Sequence, residues 1–301
     1  MTVKERFARF RKDRPKMNAL KRKALQIAAF GFTNAAPGNF LKGTIDKGAW
    51  KRFCAPGMNC YSCPAAKLAC PIGALQAVNG SMDFSFSFYV VGLILAVGAL
   101  TGRFLCGWLC PFGLVQELLH KLPTKKFRLP KPLTYVKYIL CAVFVFLLPV
   151  LYVNFMGMGA PAFCQYLCPV GTLEGGIPLL IANESLRQLM GPLFWWKALL
   201  LAVTLTGCVF ICRFFCKLAC PLGALLGLMN RISAWHLEVD ATACVHCGRC
   251  AAACPMDVDP VAKPGSCECI RCGKCKAVCP TGALRFRFGY GDRKKQTDNN
   301  D

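Results

Sequence analysis

The sequence predicts a mainly α membrane protein: a four-helix transmembrane bundle made by internal duplication, with a small α+β domain at the C-terminus. Three observations predict it. Uncharged apolar stretches long enough to cross a bilayer recur along the chain. A C-x3-C-P-x-G frame follows them, and its cysteine-proline half recurs at Cys70, Cys110, Cys168 and Cys220. Near the C-terminus, two C-x2-C-x2-C-x3-C-P runs stand close together.

Composition supports this class and excludes others. With 55% hydrophobic residues in 301 and a mean hydropathy of +0.40, the chain is not an ordinary soluble enzyme. Its 22 cysteines fall in short repeated spacings, which favours metal clusters over a secreted disulfide framework. The net charge of +22 comes from lysines and arginines beside the apolar runs, where the positive-inside bias puts them. No groove-reading motif accompanies that charge, so membrane lipid and not nucleic acid is the expected partner.

The elements follow in order. Residues 1 to 23 hold ten Lys/Arg and are expected to stay cytoplasmic. A membrane domain over 24–235 comes next, with spans at about 24–41, 84–102, 138–155 and 193–212. The span 84–102 is free of charge between Asp83 and Arg103, and 138–155 begins an uncharged run that lasts to Glu174. The span 193–212 contains only Lys197, beside the interfacial Trp195 and Trp196. The basic segment 111–137 should share the side of the N-terminus, which requires 24–41 to cross despite Asn34, Pro37 and Asn39. A cleaved signal peptide is the competing reading of that end. A cysteine-rich domain at 240–288 and a polar tail at 289–301 complete the chain, placing both termini in the cytoplasm.

RFLCGWLCPFG at 103–113 and RFFCKLACPLG at 213–223 repeat nearly position for position, each after a crossing that arrives from outside. In a helix, cysteines four apart share a face, so Cys106 with Cys110 and Cys216 with Cys220 would supply four convergent thiolates at an inner site. Four thiolates suit a 4Fe-4S cube, one per iron. Tetrahedral zinc and buried bystander thiols are the alternatives. Proline after the second cysteine, then glycine, ends the helix around the site.

The related stretches CAPGMNCYSCPAAKLACPIG and CQYLCPVG fall on the opposite side in this topology. They offer Cys54, Cys60, Cys63, Cys70, Cys164 and Cys168 to an outer site. By analogy with the inner site, Cys63, Cys70, Cys164 and Cys168 form one cluster; alternatively Cys54, Cys60, Cys63 and Cys70 are a self-contained set. Disulfides are a third reading if that face is oxidising. Each half of the duplication is thus a crossing, an outer motif, a crossing and an inner motif.

The C-terminal spacing is that of a bacterial two-cluster ferredoxin, in which the fourth cysteine of each run ligates the other cluster. One cluster then takes Cys244, Cys247, Cys250 and Cys279, and the other Cys269, Cys272, Cys275 and Cys254. Cys267 lies outside the pattern.

Apolar crossings ending in paired C-x3-C-P motifs, with a two-cluster ferredoxin domain behind them, resemble the membrane polyferredoxins of the NapH/NosR type over roughly residues 85 to 285. The stretch 54–70 departs from the simplest pattern of that family. The resemblance implies one-electron transfer through iron–sulfur centres, often with quinol as donor and a periplasmic redox protein as acceptor.

A protein of this kind is expected to pass electrons between cytoplasmic carriers or membrane quinol and an extracytoplasmic redox partner, such as a flavin or haem protein. A reductase accessory to metal-cofactor maturation and a redox-sensing membrane protein are the alternatives. Sites on opposite faces of a core about 30 Å thick call for a relay. Cys141, Cys208 and Cys212, or a bound quinone, are candidates, with buried bystander thiols as the alternative. A bis-histidine haem is not, because His120, His236 and His246 all lie outside the spans. No hydrolytic constellation or nucleotide loop is present, so no catalytic residue is assigned.

Overall fold

The computed structural model describes residues 20–79, 85–152 and 159–289. Most of the basic N-terminal segment, the polar tail and the last residues of the expected span 138–155 lie outside the described residues. The chain forms two units. Among the described residues, a central unit lies within Gln26–Ile94 and Leu109–Ala224; a C-terminal unit holds Leu95–Trp108 and 225–289, together with 20–25.

Among the described residues two helices are long and apolar enough to cross a membrane, Lys131–Leu151 and Pro192–Phe210. Only 22% of the apolar stretch of the first and 17% of the second is buried. Side chains such as Ile139, Val150, Leu199 and Val203 are exposed. An apolar surface of that extent is unusual for a helix surrounded by water.

The other two expected spans differ. Ser85–Thr101 is helical over 17 residues, about 26 Å at 1.5 Å per residue, and residues 80–84 of the expected span and its approach lie outside the described residues. The expected crossing at 24–41 is not one helix: it is helical over 20–33, turns, and resumes only at Asn39–Lys42. The break follows from its polar residues. Thr33 Oγ1 donates to Ala29 O at 2.9 Å and Asn34 Nδ2 to Phe30 O at 3.1 Å, so these side chains satisfy the last carbonyls. Pro37 then stands where a continuing helix would need an N–H. Among the described residues the chain is mainly helical, with two helices of spanning length where the four-helix bundle expected four.

The cysteine-proline junctions share one local structure in the central unit. The cysteine is extended, at φ −67° and ψ 118° in Cys110 and φ −74° and ψ 111° in Cys168, and the proline opens the next helix. Both features follow from proline, which bars its predecessor from the α region and suits a first helical turn. Nine-residue helices begin this way at Pro71, Pro111 and Pro221. The expectation that Cys106 and Cys110 lie four apart on one helix is corrected accordingly. The helix Phe104–Trp108 ends before Cys110, which stands extended at the break.

In the C-terminal unit, strands β1 (Trp235–Val239) and β2 (Leu284–Phe288) pair antiparallel, Trp235 opposite Phe288 and Val239 opposite Leu284. β1 thus precedes the expected start at residue 240. Between the strands two matching loops lead into short helices, Arg249–Ala252 and Lys274–Val278. His246 and Arg271 take φ 47° and 51°, and Gly248 and Gly273 follow at 69° and 75°. Such left-handed turns aim successive backbone N–H groups inward. Phe104–Trp108 packs here too: Phe104 meets Trp235 edge-on at 4.5 Å, and Trp108 Nε1 donates to Arg271 O at 3.0 Å.

Candidate metal centres

The eight cysteines of the C-terminal unit separate into two groups. Cys244, Cys247, Cys250 and Cys279 line one cavity of about 320 Å³. Cys254, Cys269, Cys272 and Cys275 line a second, tighter one. Each group takes three cysteines from one loop and the fourth from the other. Burial pushes the Cys275 thiol up to about 12 and Cys269 to about 11. Ligands in that state must lose a proton to bind metal.

In the central unit, Cys60, Cys70, Cys164 and Cys168 line a cavity of about 640 Å³. Cys63 does not. It packs against Ala65 and Ala66, with its Sγ 3.7 Å from Asn34 Oδ1. Cys54 is held by a parallel bridge to Ala69. The structure thus brings Cys60, and not the expected Cys63, beside the other three. The backbone N–H of Cys60 donates to Glu174 Oε2 at 2.8 Å. Burial raises the Glu174 carboxyl to about 7 and the thiols of Cys60 and Cys164 to about 12. Burial, then the neighbouring Cys164, Cys60 and Cys70, raise Cys168 further. No disulfide joins any of these six cysteines in the structure.

A second group surrounds Gln116. Its Nε2 donates to Cys216 Sγ at 3.2 Å, and Phe112 meets Phe215 edge-on at 5.4 Å. Arg213 Nε donates to Glu117 Oε1 at 2.9 Å, and the guanidinium lies within electrostatic reach of Cys110 and Cys216. Cys220 Sγ accepts the N–H of Gly223 at 3.3 Å, at the start of the helix from Pro221. Cys106 precedes Cys110 by four residues in the segment assigned to the C-terminal unit. Of the expected relay thiols, Cys208 is fully buried and donates to Gln116 Oε1 at 3.6 Å. Cys141 is buried in a π-helical segment, Cys141–Leu147, and Cys212 is half-buried.

The expected separation of an outer from an inner site by the hydrocarbon core does not survive this geometry. A Cβ added at Gly57 would stand 2.7 Å from Cys110 Cα and 3.2 Å from its Sγ. Gly57 is three residues from Cys60, a reach of at most about 11 Å. Gly57, and with it the loop leading to Cys60, therefore lies beside Cys110, because a residue without a side chain lets the loop close over it. Replacing Gly57 by alanine is expected to displace Cys110, lowering bound iron by about one centre. Full iron content in Gly57→Ala would show that the contact relaxes.

Sequence reasoning missed Gln76, Gln116 and Glu174, each six residues after a cysteine-proline cysteine. Both glutamines are fully buried. Gln76 Nε2 donates to Cys164 Sγ at 3.2 Å, as Gln116 does to Cys216. Extending the repeat alignment past the glycine, CPIGALQ beside CPFGLVQ, was the available signal.

These surroundings fit 4Fe-4S centres. Among the described residues, no three Cys, His, Asp or Glu side chains converge on one point as a single metal ion requires. Tetrahedral zinc, with Zn–S near 2.3 Å, needs thiolates within ~4 Å of one another; a cube spreads them around four irons. The surroundings are also electropositive. Among the described residues, buried charged side chains in the central unit are Lys51, Lys137, Arg213 and Lys217 against Glu117. Helix N-termini at Pro71, Pro111 and Pro221 directly follow cysteines and favour anionic thiolates.

Comparison with known proteins agrees. A family described as a 4Fe-4S binding domain matches residues 82–130, 138–177 and 192–239, and two further 4Fe-4S binding domain families match 236–258 and 268–285. "Putative electron transport protein YccM" of Escherichia coli K12 is 29% identical over 202 residues, 64% of this chain and 50% of that protein. The chain thus spans about half the length of that relative. "Uncharacterized protein MJ0749" of Methanocaldococcus jannaschii is 31% identical over 222 residues, 65% of this chain and 68% of its own. "Uncharacterized protein MJ0750" of the same organism is 30% identical over 191 residues, 60% and 69%. No solved structure matches. The chain belongs to the family of these archaeal proteins, and its matched segments are 4Fe-4S binding domains.

Proposed function

We propose that this protein is a membrane-bound iron–sulfur electron carrier of the NapH/NosR type with four 4Fe-4S centres. Two lie in the ferredoxin domain, on Cys244, Cys247, Cys250 and Cys279 and on Cys254, Cys269, Cys272 and Cys275. A third is held by Cys60, Cys70, Cys164 and Cys168. The fourth takes Cys110, Cys216 and Cys220, with Cys106 supplied by the repeated motif. The observation that carries the reading is the grouping of cysteines around separate cavities, four to each of three. When bound, each centre takes up and gives back one electron.

The chain's own residues serve that role by holding thiolates in dry, electropositive surroundings and by keeping the cysteine groups close. With Gly57 against Cys110, no intramembrane relay of Cys141, Cys208 and Cys212 is needed between the two central groups. The outward apolar faces of Lys131–Leu151 and Pro192–Phe210 support membrane attachment. Cys247 and Val245 are exposed on the ferredoxin domain, where a redox protein could approach. A cytoplasmic carrier or membrane quinol is the proposed donor, and a second redox protein the acceptor. The name of the Escherichia coli relative supports the electron-transport reading.

Iron and acid-labile sulfide in anaerobically purified protein test it. About sixteen of each per chain are expected, all reducible from the ferredoxin domain. About eight would confine the centres to that domain and sink the proposal for the central unit.

A further inference from the structure

We propose that Gln76 and Gln116 are equivalent hydrogen-bond donors to cluster thiolates, each raising the reduction potential of one centre in the central unit. The inference rests on Cys164 and Cys216 being ligands of separate centres. Its geometry is repeated in both halves. Each glutamine lies six residues after a cysteine-proline cysteine, in the second turn of a nine-residue helix opened by that proline. Each is fully buried, and each places Nε2 3.2 Å from the sulfur of a cysteine about ninety residues or more along the chain.

The amide orientation follows from the partners on its other side. Gln76 Oε1 accepts the backbone N–H of Phe163 at 2.8 Å, so only Nε2 is left to face Cys164. Its second amide proton goes to Ile72 O at 3.2 Å. Gln116 repeats this with Phe112 O at 3.4 Å, while its Oε1 accepts from the Cys208 thiol. A carbonyl cannot donate, so the nitrogen must lie on the Phe112 side. Both amides are therefore held from behind and point N–H at sulfur.

A donor aimed at a thiolate in a water-poor site favours the more negative, reduced state. Only an electron moves, from reductant to centre; the amide keeps its protons. Position six after Cys168 is Glu174, which instead accepts the Cys60 N–H, and after Cys220 it is Leu226. Each centre thus receives one such amide, from the first cysteine-proline helix of its pair.

Gln→Met keeps the bulk and removes the donor. Gln→Glu keeps the acceptor for Phe163 or Cys208 and replaces the donor. The readout is an EPR-monitored titration of the anaerobic full chain in detergent, with dithionite and mediators. The ferredoxin-domain signals are the internal reference. With iron retained, Gln76→Met should lower one potential by roughly tenfold in the reduction equilibrium, about 59 mV for one electron. Gln116→Met should lower a different one equally, and the Glu variants should lower each at least as far. Full iron with unmoved potentials overturns the inference. So does loss of iron from both variants of a site, because a tuning amide is dispensable for assembly. A wild-type chain lacking the two central signals would instead refute the four-centre reading itself.

Discussion

Replacing Cys60 by alanine is expected to remove one whole centre, about four of sixteen irons, while Cys63→Ala leaves the iron content intact. The two residues stand three apart in a stretch with four cysteines, and spacing does not separate them. The structure does. Cys60 lines the cavity with Cys70, Cys164 and Cys168, and its backbone is held by Glu174 across the cavity wall. Cys63 is turned into a small apolar cluster with Ala65 and Ala66 and faces Asn34. Cys54 is expected to behave like Cys63, since it too is not part of the cavity lining. Iron per chain in the three alanine variants, with EPR to identify the missing signal, checks this. Iron lost from Cys63→Ala and kept in Cys60→Ala would restore the arrangement drawn by analogy with the inner site.

How far the sequence could be read depends on the range of the interaction. The C-terminal partition was legible because two-cluster spacing already says which cysteine crosses over, and the cavities group them that way. A break beside Cys110 was legible because proline acts on its immediate neighbour, though the helix ends before Cys110 and not after it. The close approach of Gly57 to Cys110 was not, since a glycine in a loop does not name the backbone it will meet. The span at 24–41 was inferred from counting charges on alternate sides; the capping side chains Thr33 and Asn34 act locally and prevailed. Gln76 and Gln116 were in view but unread, because a polar residue in a short apolar helix has many uses until its partner is known. Cys208, read as a relay candidate or a buried bystander thiol, donates to Gln116 Oε1, a partner that its spacing did not name.

Arg213→Met is expected to be more damaging than Glu117→Gln, although both break the same ion pair. The pair is buried: the Arg213 side chain is 0% and that of Glu117 6% exposed, with Nη2 2.8 Å from Oε1. Removing one partner of a buried pair leaves the other charge in a poor solvent and costs about 3–5 kcal/mol. For a chain of this size that corresponds to a fall in Tm on the order of 10 °C. The two variants differ in what is left. Without Glu117, the guanidinium still faces Cys110 and Cys216, whose thiolate charge opposes its own. Without Arg213, carboxylate and thiolates share one buried region with a cation removed, so the centre itself is disfavoured. Arg213→Met should therefore lose iron as well as stability, and Glu117→Gln mainly stability. The backbone argues the same way. Arg213 stands at φ 55°, a left-handed conformation that costs a non-glycine residue about 1–2 kcal/mol, and glycine occupies φ 54° at Gly102, just before the matching Arg103. A residue kept in that conformation with its side chain fully buried is held there by what the side chain does. Thermal melts read alongside iron content separate the two effects. Equal iron loss in both variants would mean that the ion pair acts on the centre only through the fold.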